Sequence, residues 1–106
     1  MESTELCNLV SNTVDELKGT DIVVLDLRER CSFTDYMIIA TGTSDRHTKA
    51  VVSKVSEKVK SAGLRPQGIE DSRDGGWVLL DLGDVLLHLM KADVRAFYNL
   101  EKLWAV

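Results

Sequence analysis

The spacing of hydrophobic and polar positions divides this chain into segments of two periods. Residues 4–18 place Leu6, Leu9, Val10, Val14 and Leu17 at helical intervals, and Gly19 follows as a stop. The run DIVVLDL (21–27) is short and rich in branched aliphatics, which predicts a buried strand. RERCSFTD (28–35) is polar and irregular, and YMIIATG (36–42) predicts a second buried strand. From Ser44 the period changes: Val51, Val52, Val55, Val59 and Ala62 lie on one face of a helix that ends at Gly63. LRPQGIE (64–70) reads as a short extended piece, and Pro66, with no N–H for a ladder, marks a strand edge or start. DSRDGG (71–76) reads as a loop. The apolar runs of WVLLDLGDVLLHLM (77–90) flank Gly83-Asp84, a two-residue hairpin turn with Gly first, as type II′ prefers. KADVRAFYNLEKLW (91–104) predicts a closing helix.

The resulting order is αββαβββα. It predicts an α/β fold: a single compact domain over residues 1–106, built on a mixed sheet of about five strands flanked by helices. The hairpin is antiparallel, whereas the strand–helix–strand unit over 36–70 predicts a right-handed parallel crossover.

The two-residue turn also fixes which hairpin residues share a face. Leu82 faces Val85, Asp81 faces Leu86, Leu80 faces Leu87, Leu79 faces His88, Val78 faces Leu89 and Trp77 faces Met90. One face then carries Val78, Leu80, Leu82, Val85, Leu87 and Leu89, which is wholly aliphatic and predicts core. The other carries Trp77, Leu79, Asp81, Leu86, His88 and Met90. Two arrangements fit this second face. In one, a helix covers it and His88 is hydrogen-bonded to its diagonal neighbour Asp81. In the other, the end around Trp77, just after a Gly-Gly pair, is a partner-binding patch, the setting in which Trp is most enriched.

Composition narrows the field. The chain is 44% hydrophobic and 28% charged, an ordinary globular balance. No apolar run approaches the ~20 residues of a membrane helix. The start, MESTELCNLV, is acidic and lacks the features of a signal or transit peptide, so a cytoplasmic location is expected. Cys7 and Cys31 form no CxxC and have no His at ligand spacing, which predicts two buried or half-buried thiols rather than a metal site. The net charge of −4 is poor footing for phosphate-driven binding to nucleic acid. A partner that is a ribonucleoprotein is therefore expected to be met through its protein part, with little or no direct RNA contact.

One stretch invites a catalytic reading. In ATGTSDRHTKAV (40–51) a strand runs through a Gly/Thr/Ser turn into a helix, where free N–H groups and the helix dipole favour phosphate. The turn has one Gly and no GxGxxG or GxxxxGK[ST] spacing. Asp45 repels an anion, although His47 and Lys49 attract one. Nucleotidyltransferases of the polymerase-beta kind place a Gly-Ser turn here and add an Asp-x-Asp pair for Mg²⁺. The residues after Ser44 hold no such pair, and Asp81 and Asp84 straddle the hairpin turn. The favoured reading is a helix start, with Thr43 or Ser44 as its cap and Asp45 in its first turn.

TDYMIIATGTSDRH (34–47), GLRPQGIE (63–70), WVLLDLGDVLLHLM (77–90) and RAFYNLEKLW (95–104), in this order and spacing, resemble the ribosomal silencing factor family, also called the Iojap family, in its bacterial form. The resemblance covers nearly the whole chain. It implies a domain like a minimal nucleotidyltransferase without the catalytic carboxylates: no enzyme, no catalytic residue, no metal and no cofactor. It implies a partner, large-subunit ribosomal protein fourteen on the free large ribosomal subunit, with the small subunit blocked from joining when nutrients are limiting. It also implies a homodimer in the free state. Carried over residue by residue, the contact surface implied is Trp77 and Leu79 on a strand and Tyr98 on the last helix, with Arg95 and Glu101 at the rim. Many relatives carry a second acidic residue where this chain has Ala92 and Val94, which makes the polar rim the least defined part. Two alternatives stand beside this expectation: a small nucleotidyltransferase-like enzyme using the 40–49 turn, and an assembly factor of the large subunit.

Overall fold

The computed structural model describes residues 1–72 and 76–104. The loop read over 71–76 lies partly outside the described residues. Among the described residues nine elements follow in order: α1 (Ser3–Glu16), β1 (Thr20–Asp26), β2 (Tyr36–Gly42), α2 (Asp45–Ser61), β3 (Gly68–Asp71), β4 (Trp77–Asp81), β5 (Val85–Lys91), α3 (Ala92–Tyr98) and α4 (Leu100–Trp104). The strands form one mixed sheet in the order β1-β2-β5-β4-β3.

The hairpin register is as the turn requires. Trp77 pairs with Met90, Val78 with Leu89, Leu79 with His88, Leu80 with Leu87 and Asp81 with Leu86. The Leu82 N–H donates to the Val85 carbonyl at 3.0 Å. Gly83 has φ 80°, and Asp84 is not among the residues of positive φ, the combination a Gly-first turn needs. All six predicted core residues of the hairpin are buried. They meet Leu6, Val10 and Val14 of α1 and Val51, Val52, Val55 and Val59 of α2 in one cluster.

β2 and β5 run parallel at the centre, Tyr36 beside Val85 through Gly42 beside Lys91. Helices α1 and α2 cover one face of this pair. The opposite face carries a smaller cluster of Leu27, Met37, Ile39 and Met90, covered in part by Val94, Leu100 and Trp104. Burial from both sides is why YMIIA is unbroken by polar residues. The two thiols lie on opposite faces, Cys7 in the larger cluster and Cys31 against the smaller one. Burial, and then the charge of Asp26, push the Cys7 thiol above its ordinary pKa.

Three expectations are corrected. β1 is not buried: it is the sheet's edge, with Val24 45% exposed and a register break between Thr20 and Val23. Branched aliphatics specify a strand but not its place in the sheet. The 36–70 unit is parallel in direction, but β2 and β3 are not neighbours, because β5 and β4 lie between them. The closing helix is two helices, broken at Asn99, which sits at φ 48° and ψ 54° and donates its N–H to the Arg95 carbonyl at 2.8 Å. Asn is among the few residues that take this left-handed conformation readily.

Two outcomes follow from this packing. Leu80→Ala and Leu87→Ala each empty a fully buried site and should lower stability by about 2–5 kcal/mol in chemical denaturation; mutants that unfold with the wild-type midpoint would contradict the assignment of faces. The second outcome concerns His88, which is 6% exposed and whose burial lowers its pKa from 6.5 to about 4. Between those values the unfolded chain carries a proton that the folded one refuses, so stability falls as pH falls. The loss is about 2 kcal/mol by pH 5 and about 3 kcal/mol in all. Denaturation at pH 7 and pH 5 should show wild type losing that much more than His88→Asn, and parallel losses would contradict it.

Candidate functional site

The turn after β2 uses its own donors. Ser44 caps α2, its Oγ accepting the His47 N–H at 3.1 Å, while the Thr43 N–H donates to His47 Nδ1 at 2.9 Å. His47 Nε2 reaches the Leu17 carbonyl at 2.8 Å and so ties the end of α1 to this turn. Lys49 is paired with Asp71 at 3.4 Å, and Asp45 with Lys91 at 3.4 Å. Gly42 is explained by packing, since a Cβ there would lie 2.4 Å from Thr48 Cγ2. The Thr43 and His47 N–H groups are thus engaged within the turn, and His47 and Lys49 already have partners. Asp81 turns Oδ1 to the Gly83 N–H at 2.8 Å, and Asp84 is exposed on the other side of the hairpin turn.

The second hairpin face holds the richer arrangement. Trp77 and Leu79 alternate out of the aliphatic face of β4 and are half-buried. The Trp77 indole lies 4.8 Å from the Tyr98 ring, centroid to centroid, inclined at 52°. Tyr98 is 50% exposed and packs edge-on at 5.0 Å against Phe97, which is 81% exposed. An open groove of about 200 Å³ runs beside them, lined by Glu70, Asp71, Ser72, Trp77 and Leu79. The result is a continuous strip of aromatic and aliphatic surface with a carboxylate edge on β3.

Both arrangements offered for this face are thus partly realised. Helices cover the β5 side, around Met90, while Trp77 and Leu79 on the β4 side stay half-buried. His88 does not bond Asp81. Its Nδ1 accepts the Trp77 indole N–H at 3.0 Å, and the two rings are 5.8 Å apart. Asp81 is drawn instead to the backbone of its own turn. Diagonal register alone could not choose between these two partners, because Trp77 is diagonal to His88 as well.

Of the five residues singled out in the sequence, Trp77, Leu79 and Tyr98 come together at this strip. Arg95 and Glu101 meet each other beside it. The Arg95 Nε donates to Glu101 Oε1 across the Asn99 break, and its Nη1 donates to Thr41 Oγ1 at 2.8 Å. With side chains 12% and 29% exposed, this pair fastens α3 and α4 to the end of β2 rather than standing outward. Val94 packs into the smaller core cluster. Phe97 was passed over in the sequence; its neighbour Tyr98 in an otherwise amphipathic segment was the available signal.

Comparison with known proteins places these features in a family. The sequence profile of "Ribosomal silencing factor during starvation" matches residues 1–106. The chain is 44% identical over 100 residues to the ribosomal silencing factor RsfS of Haemophilus influenzae, covering 94% of this chain and 98% of that protein. It is 35% identical over 89 residues to the mouse protein "Mitochondrial assembly of ribosomal large subunit protein 1", covering 81% of this chain and 39% of that one. A crystal structure of protein CV0518 from Chromobacterium violaceum superimposes with a TM-score of 0.93 at 41% identity, covering 98% of this chain and 87% of that one. By profile, sequence and fold together, the chain belongs to the ribosomal silencing factor family.

Proposed function

We propose that this protein represses translation by docking its Trp77–Tyr98 strip on the free large ribosomal subunit, at large-subunit ribosomal protein fourteen, and so keeping the small subunit from joining. The observation that carries the reading is the ring pair: aromatics from two elements meet at 4.8 Å while Tyr98 stays half exposed. Aromatic anchors already held by packing lose little freedom on binding, which is how interface hot spots gain their energy. The large-subunit name of the mouse relative supports the choice of target. The net charge of −4 supports a protein contact over an RNA one.

Steric blocking requires no catalysis. A body of 33 × 32 × 23 Å held at the subunit face excludes its counterpart by volume. In this reading the protein is not an enzyme, uses no cofactor, acts in the cytoplasm under nutrient limitation, and presents the same apolar strip to a second copy when no subunit is bound.

Two measurements test the reading. Tyr98→Ala and Trp77→Ala should each weaken binding to purified large subunits about thirtyfold, roughly 2 kcal/mol, and relieve the block on subunit joining. Tyr98→Ala should melt close to wild type, because its ring is half exposed. Moderate salt should weaken the contact far less than the several decades lost by a multi-phosphate RNA contact. Wild-type binding by both folded variants would overturn the docking surface. In the other measurement, calorimetric titration with each nucleoside triphosphate and Mg²⁺ should reveal no saturable binding in the micromolar range. A micromolar site lost in Ser44→Ala would revive the nucleotidyltransferase reading.

A further inference from the structure

His88 lies behind the strip, not in it. It stands on β5 opposite Leu79 and diagonal to Trp77, on the same face of the sheet. Only 6% of it is exposed, so it offers almost no surface to a partner. Its one polar contact with the strip is the 3.0 Å bond in which Nδ1 accepts the Trp77 indole N–H. That bond selects the imidazole tautomer protonated at Nε2.

A half-buried indole at the first residue of a strand can turn about its side-chain torsions unless something fixes it. Tyr98 at 4.8 Å and the smaller core cluster hold the ring by apolar contact, which sets no direction for its N–H. The bond to His88 restrains the polar side of the ring. Burial of the imidazole keeps it neutral, and so keeps Nδ1 an acceptor, at any pH well above about 4. An apolar residue in this place would fill the same space and leave the indole N–H without its partner.

We infer that His88 is a positioning residue of the docking strip: by accepting the indole N–H it fixes the orientation in which Trp77 meets the partner. The inference rests on the docking reading given above. It assigns a binding role to a residue that a partner does not touch.

Asparagine tests the acceptor, because its Oδ1 falls where the His Nδ1 stands, whereas leucine fills the site with no acceptor. His88→Leu should weaken binding to purified large subunits about tenfold, and His88→Asn should restore it to within about threefold of wild type. The ¹⁵N-labelled indole resonance of Trp77, assigned against Trp104→Phe, should move upfield in His88→Leu and return towards its wild-type position in His88→Asn. If His88→Leu does not fold, Trp77→Phe carries the test: it keeps a ring, removes the donor, and should weaken binding about fivefold. Equal binding by His88→Leu, His88→Asn and wild type, or by Trp77→Phe and wild type, while Trp77→Ala is released, would overturn the positioning role and leave the docking reading standing. Wild-type binding by Trp77→Ala would overturn the docking reading and this inference with it.

Discussion

The parallel pairing of β2 with β5 is the constraint on which the rest of the molecule depends. These two strands are buried on both faces, so everything else is arranged to cover them. Helices α1 and α2 close one side with a dense aliphatic layer. The other side is covered only partly, by two short helices at the end of the chain. These helices lie mainly over β2 and β5, and Tyr98 at the end of α3 reaches Trp77 on β4. Trp77 and Leu79 are left half-buried beside that cover.

The proposed docking strip inherits its rigidity from that sheet. Trp77 and Leu79 stand on a strand hydrogen-bonded on both sides, to β5 and to β3. Tyr98 reaches Trp77 because Asn99 turns the chain and the Arg95–Glu101 pair, with Thr41, fastens the turn to β2. A polar cluster of this kind holds one geometry when every member has its partner. Recognition by a preformed aromatic surface suits the proposed task of occupying a place on the large subunit. Such a task asks for shape and residence, not for a reactive group.

Much of this was legible in the sequence, for a physical reason. The Gly83 turn fixes register, register fixes the faces, and an all-aliphatic face has only one place to go. A cap at Thr43 or Ser44 and the period change after it were equally plain, and the structure uses Ser44. What stayed hidden were choices among equivalents. Val23 and Val24 read the same at an edge as at the centre, so β1's position could not be inferred. The partner of His88 depended on which of two diagonal groups turned inward. The break at Asn99 was masked because Leu100, Leu103 and Trp104 continue an apolar pattern through it. The candidate site was partly legible: register put Trp77 and Leu79 on one face, Tyr98 came only from the family resemblance, and the inward turn of Arg95 depends on Thr41, which lies 54 positions away in the chain.

The account stands most directly on where the protein goes in a cell extract. Purified protein added to lysate and sedimented through a sucrose gradient should travel with free large subunits, be absent from small subunits, and deplete the joined ribosomes in proportion to the amount added. Protein that stays at the top of the gradient, or that travels with small subunits, would contradict it.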